Sequence, residues 1–125
     1  GDCVAEFVKC GAEILLIITN DGWWGDTQGH RQHKSLSSLR AIESRRSIAR
    51  SANTGISCFI NQRGDVNLFL GWNERGFLTD EINANDYLTF YVKHGDYIAR
   101  IFTAISLVLN LLIIGNFIKK RFAKD

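Results

Sequence analysis

Eighteen consecutive residues without a formal charge, Ile101 to Ile118, lie near the C-terminus and are dominated by Ile, Leu, Val and Phe. As a helix they rise about 27 Å, close to the hydrocarbon thickness of a bilayer. The position at the C-terminal end, with Arg100 and Lys119 as flanks, excludes a signal peptide and predicts a transmembrane helix over 98–118. The tail 119–125 carries four positive charges against one negative. The positive-inside rule then puts the tail in the cytoplasm and residues 1–97 on the opposite side. Arg100 can snorkel to the interface, whereas Asn110 near mid-depth needs a partner and points to another transmembrane helix.

The remaining chain reads as a soluble α/β segment, which is why 46% hydrophobic content coexists with a mean hydropathy of −0.06. Net charge is only +2, and the tail accounts for it, so basicity gives no argument for nucleic acid. Residues Asp2 to Gly11 predict a short helix with Asp2 as cap, Val4, Phe7 and Val8 on one face and Gly11 at the stop. Ile14 to Ile18 is a strand without polar alternation, which predicts cover on both faces, more layers than this chain supplies. His30 to Ala52 predicts the longest soluble helix, with Leu36, Leu39, Ile42, Ala49 and Ala52 as its apolar stripe and Asn53-Thr54-Gly55 as its end. Between Arg31 and Arg50 stand six Lys or Arg and one acid, Glu43, so the opposite side reads as a basic face, either solvated or attracted to anionic headgroups. Strands are predicted over 56–61, 66–70 and 77–82. Tyr87, Phe90, Tyr91 and Tyr97 suit either a headgroup layer or the end of the soluble core.

Chemistry concentrates in Thr19-Asn20-Asp21-Gly22-Trp23-Trp24-Gly25, at the end of the first strand, followed shortly by Gln32-His33. Asn and Asp can fix a tight turn through nearby amides, and an indole offers an apolar wall with one donor. These residues read either as a pocket or as a structural loop with two core tryptophans. His30 and His33 have the spacing of two ligands on one helical face, but no third ligand is evident, so no metal is assigned. Cys3, Cys10 and Cys58 form no paired-ligand spacing and read as small, buried residues; Cys3, at a helix start, also satisfies one condition for a nucleophile.

Together with Arg40-Ala41-Ile42-Glu43 and Arg50-Ser51-Ala52-Asn53-Thr54-Gly55-Ile56-Ser57, in that order and spacing, the Trp-rich stretch resembles the C-terminal part of bacterial apolipoprotein N-acyltransferases. These are membrane-anchored members of the nitrilase, or carbon–nitrogen hydrolase, superfamily. The resemblance covers essentially the whole chain. It implies an α/β fold, the C-terminal part of a nitrilase-like αββα sandwich over 1–83, then a juxtamembrane segment 84–97, the span 98–118 and the cytoplasmic tail 119–125.

It also implies a reaction. A cysteine takes a fatty acyl chain from a phospholipid as a thioester and passes it to the N-terminal diacylglyceryl-cysteine of an apolipoprotein, at the bacterial inner membrane, with residues 1–97 in the periplasm and no cofactor. The family's nucleophile stands in a Cys-Tyr-Glu phrase shortly before a Gly followed by an acid, and Gly1-Asp2 matches that later pair. Catalytic Cys, Glu and Lys are therefore all expected upstream of Gly1, along with a transmembrane bundle and the first part of the domain. What the chain is expected to hold is a substrate-pocket wall of Asn20, Asp21, Trp23, Trp24 and His33, inactive alone. Two other readings remain: a non-catalytic membrane-tethered module of the same fold, and a piece of a soluble amidase or nitrilase, which the span and basic tail disfavour.

Overall fold

A computed structural model describes the backbone of residues 1–122 and side chains through residue 119. The end of the basic tail lies outside the described residues. The chain divides into two units, Gly1–Gly95 and Asp96–Asp125.

The first unit is a mixed α/β layer. Helix α1 (Asp2–Lys9) leads through Gly11, at φ 97°, into strand β1 (Ile14–Thr19). Helix α2 (Gln28–Ser44) crosses back to strand β2 (Ser47–Ala52), which pairs with β1 in parallel, Leu15 opposite Ile48 and Thr19 opposite Ala52. Strands β3 (Ser57–Ile60) and β4 (Val66–Leu70) follow as antiparallel neighbours, so the sheet order is β1-β2-β3-β4. A parallel pair needs such a crossover, and α2 supplies it.

The core beneath α2 consists of Ala41, Ile48, Cys58 and Ile60, with Leu15, Ile17, Ile56 and Val66 packed against it. A smaller cluster joins Ala5 and Val8 of α1 to Val92 of helix α3 (Phe90–His94). Phe7 does not share that face and is 61% exposed. Asp2 does not cap: Gly1 is the N-cap and no side chain bonds to it.

Several expectations give way here. The long helix ends at Ser44, because Arg45 adopts the left-handed conformation (φ 53°, ψ 43°) and turns the chain. Residues 47–52, expected as its last turns, instead form β2. Their helix propensity is outweighed by a complete parallel ladder with β1 on one side and pairing with β3 on the other. Asn53-Thr54-Gly55 consequently connects two strands and does not terminate a helix.

The expected stripe of α2 points outward as well. Leu36, Leu39 and Ile42 are exposed, while His30, Ser37, Ala41 and Ser44 form the buried face. Small side chains let the helix lie close to the sheet, and the strands provide the apolar bulk. Two members of the supposed basic helical face, Arg46 and Arg50, are buried in and beside β2. Arg46 donates to the carbonyls of Ala12 (2.6 Å), Ser44 (3.1 Å) and Tyr87 (2.8 Å), tying three segments together. Glu43 pairs with Arg40 at 2.6 Å, not with Arg46.

Residues 77–82 form no strand. The segment is held by side chains and isolated backbone bonds instead of a ladder, with Ser47 Oγ and Gln62 Nε2 donating to the Asn83 carbonyl and the Asn85 amide to that of Glu13. Strand β1 buries only one side: Leu15 and Ile17 face the core, whereas Leu16 is 70% and Ile18 90% exposed. Among the described residues no layer covers that second face.

The second unit is helix α4 (Tyr97–Phe122), in which Tyr97–Lys119 is long and apolar enough to cross a membrane by length and composition. Two of its polar side chains bond locally: Thr103 Oγ1 donates to the Ala99 carbonyl at 2.7 Å and Asn110 Nδ2 to the Ser106 carbonyl at 2.8 Å.

Candidate functional site

The carboxyl ends of the parallel pair β1 and β2 bring two loops together. In α/β sheets this is where ligands bind, because the connections leave a crevice beyond the strand ends. The Asn53 amide donates to the Thr19 carbonyl at 3.0 Å, and the Asn73 amide to the Thr54 carbonyl at 2.8 Å. Gly22 lies against Thr54 so closely that a Cβ there would sit 3.1 Å from Thr54 Oγ1.

Asp21 is the hub of this junction and is completely buried. Its Oδ2 accepts from Arg50 Nη2 at 2.6 Å, and its Oδ1 lies 2.8 Å from His33 Nδ1 and accepts from Thr19 Oγ1 at 3.1 Å. Arg50 is buried too, donating through Nη1 to Ser37 Oγ at 3.1 Å and through Nε to the Ile56 carbonyl at 3.2 Å. Burial on its own pushes the Asp21 carboxyl up. The His33 hydrogen bond, the Arg50 charge and hydrogen bond, and Thr19 outweigh it and hold the group below its ordinary value. Gly55 completes the enclosure, since a Cβ on it would fall 2.6 Å from Asp21 Cβ.

The expected pocket residues thus occupy distinct places. Asp21 is an internal anchor and touches no open surface. Asn20 Oδ1 accepts from the Gly22 amide at 3.1 Å and fixes the turn. Gly22–Trp24 makes a single 3-10 turn that presents Trp23, 84% exposed, and Trp24, 43% exposed. Neither is a core tryptophan in this unit. Trp24 lies across the start of α2 over Gly29, where a Cβ would come within 2.7 Å of its Cγ, and its ring centroid is 5.0 Å from that of His33. Thr27 caps the helix, accepting from the Gly29 amide at 3.2 Å while donating to the Trp24 carbonyl at 2.8 Å.

The two histidines serve separate partners. His30 is buried, with Nε2 3.1 Å from Asp26 Oδ1, its ring 4.5 Å from that of Trp72 and Nδ1 without a partner among the described residues. Among the described residues no three His, Cys, Asp or Glu side chains group as metal ligands. Cys3 and Cys10 are exposed, against the expectation of burial, because α1 turns only its Ala5/Val8 face inward. Cys58 lies in the core, and burial raises its thiol above the ordinary value despite the nearby charges of Lys34 and Arg50.

Thr19, Arg50 and Gly55 lie in motifs the sequence makes visible but were given no role in the site, and Ser37 was not singled out. One signal was available: an arginine at an inward-facing strand position requires a buried counter-charge, and Asp21 and Asp26 are the acids of the Trp-rich loop. The misplaced helix end concealed it.

Residues 4–89 match the carbon–nitrogen hydrolase family. The apolipoprotein N-acyltransferase of Chlorobaculum tepidum is 38% identical over 109 residues, covering 87% of this chain and 20% of its own length. That of Wigglesworthia glossinidia brevipalpis is 32% identical over 90% of this chain and 23% of its own length. That of Sinorhizobium medicae reaches 51% identity over 67 residues. The chain spans about a fifth of the length of the first two relatives. A match over 90% of the chain has to run well into α4.

Proposed function

Because the chain belongs to the carbon–nitrogen hydrolase family, we propose that it is the C-terminal part of a membrane N-acyltransferase that matures lipoproteins. The observation that carries this reading is a likeness to apolipoprotein N-acyltransferases that continues past the hydrolase segment into the apolar helix. A soluble amidase has no use for such a helix.

In this reading a cysteine takes an acyl chain from phospholipid, and the resulting thioester is attacked by the α-amino group of a diacylglyceryl-cysteine. The nucleophilic cysteine, the general-base glutamate and the oxyanion-stabilising lysine belong to a preceding part of the protein, as does a transmembrane bundle. Residues 1–83 contribute the last part of the domain, with Asn20, Trp23, Trp24 and His33 as one wall of the site and Asp21 as its internal support. Segment 84–97 leads to the span 98–118, which holds the site at the periplasmic surface of the inner membrane, where lipid tails can enter, and 119–125 lies in the cytoplasm.

Supplied with phospholipid carrying a labelled acyl chain and with a diacylglyceryl-cysteinyl peptide, residues 1–125 alone are expected to form no thioester and no N-acyl product. The intact protein containing them is expected to form both. Transfer by residues 1–125 on their own would defeat the assignment of the catalytic groups to another segment, and an intact protein that forms no thioester would defeat the acyltransferase reading.

A further inference from the structure

The imidazole of His33 is held at one end and open at the other. Nδ1 lies 2.8 Å from the buried Asp21 Oδ1, and a carboxylate bonded to arginine can only accept, so Nδ1 carries the proton and donates it. Arg50 Nη2, 3.3 Å from the same nitrogen, is then a close neighbour without a hydrogen bond to it, since both atoms carry hydrogen. The charge of Asp21 is already matched by Arg50 at 2.6 Å, so the Nδ1 hydrogen bond needs no second positive charge on the ring. In that tautomer Nε2 holds a lone pair. Nε2 has no partner among the described residues and is not enclosed, the His33 side chain being 35% exposed. Trp24 stands against the ring and Trp23 extends into solvent beside it in sequence. A rigidly aimed acceptor nitrogen next to exposed indole surface suits a ligand with an N–H group on an apolar body.

We propose that His33 Nε2 accepts a hydrogen bond from the primary amine that receives the acyl group, with Asp21 and Arg50 as positioning residues behind it. This rests on the acyl-transfer reading above. The neutral amine has two N–H bonds and one lone pair. Donating one N–H to Nε2 fixes the nitrogen and leaves the lone pair to attack the thioester carbonyl carbon. The new C–N bond forms as the C–S bond breaks with its electron pair on sulfur, and the proton lost by nitrogen balances the one the thiolate regains.

Two substitutions separate this role from simple support of Asp21. In His33→Asn the amide nitrogen sits where Nδ1 was and can still donate to Asp21, but the outer acceptor is gone; in His33→Gln the amide reaches the position of Nε2 and its oxygen can accept. In the intact protein, His33→Asn is expected to slow transfer to a diacylglyceryl-cysteinyl peptide roughly ten- to a hundredfold more than it slows thioester formation from phospholipid, the worth of one hydrogen bond in a closed site. His33→Gln is expected to recover most of the transfer rate. The opposite order, or equal losses in both half-reactions, overturns the proposal. Binding of the same peptide and its desamino analogue gives a test independent of turnover. The unsubstituted protein should prefer the amine and His33→Asn should lose that preference; a preference that survives in His33→Asn, or is absent to begin with, overturns it. Failure of the unsubstituted protein to form any thioester would count against the acyl-transfer reading instead, and the binding comparison would still decide the role of His33.

Discussion

Asp21 shows how one carboxylate can organise a loop without reaching a surface. A buried charge is tolerated only when paired and fully hydrogen-bonded, and Arg50, His33 and Thr19 meet that demand from a strand, a helix and the loop's own base. Its sign under pH follows from the direction of its shift. A carboxyl held below its unfolded value binds fewer protons in the native state, so its contribution is present above the unfolded pKa of 3.8 and is lost as pH falls through the folded value. Acid titration of the intact chain, followed by Trp fluorescence, is therefore expected to show the site loosening only below about pH 4. Asp21→Asn should be destabilised at neutral pH and lack that acid limb; an unchanged limb would mean that other carboxylates govern it. The two indoles, Asn20 and His33 were legible as a cluster because they lie within one short stretch of sequence. Arg50 was not, since its partner stands 29 residues away and only the crossover brings them together.

At the level of elements, α1, β1, β3 and β4 follow from local pattern with small boundary shifts, as does the apolar helix. Apart from residues 77–82, which form no strand, the errors gather in α2 and β2, and those have a common cause. Leu36, Leu39 and Ile42 satisfy a helical stripe, and the spacing of Ala49 and Ala52 continues it. Yet the helix buries its polar and small side, because contact distance to the sheet is set by the residues between the two backbones and not by the greasiest ones available. Ala41, fully buried over Ile48, Cys58 and Ile60, marks that contact. Ala41→Leu is expected to destabilise the intact chain by about 1–3 kcal/mol through overpacking. A lowered urea midpoint at unchanged slope would register it, and a neutral result would place the helix further from the sheet than described.

For the whole molecule, the balance of buried groups is informative. In the first unit the seven buried hydrophobic residues are matched by seven buried polar or charged ones, while Leu16 and Ile18 of β1 stay open. So thin an apolar core is poor compensation for ordering the chain. Residues 1–97 alone are accordingly expected to show no cooperative thermal transition; a sharp one in calorimetry would refute this and make the open face of β1 dispensable. The sequence by itself determined the mixed α/β class, the apolar helix and the identity of the Trp-rich loop, because each is written in local periodicity or in a contiguous motif. Only the tertiary structure decided that residues 47–52 are a strand, that α2 buries its small face, and that Asp21, His33 and Arg50 form one unit. Those facts depend on pairing and charge compensation between segments far apart in the chain, where local propensity carries no information about the partner.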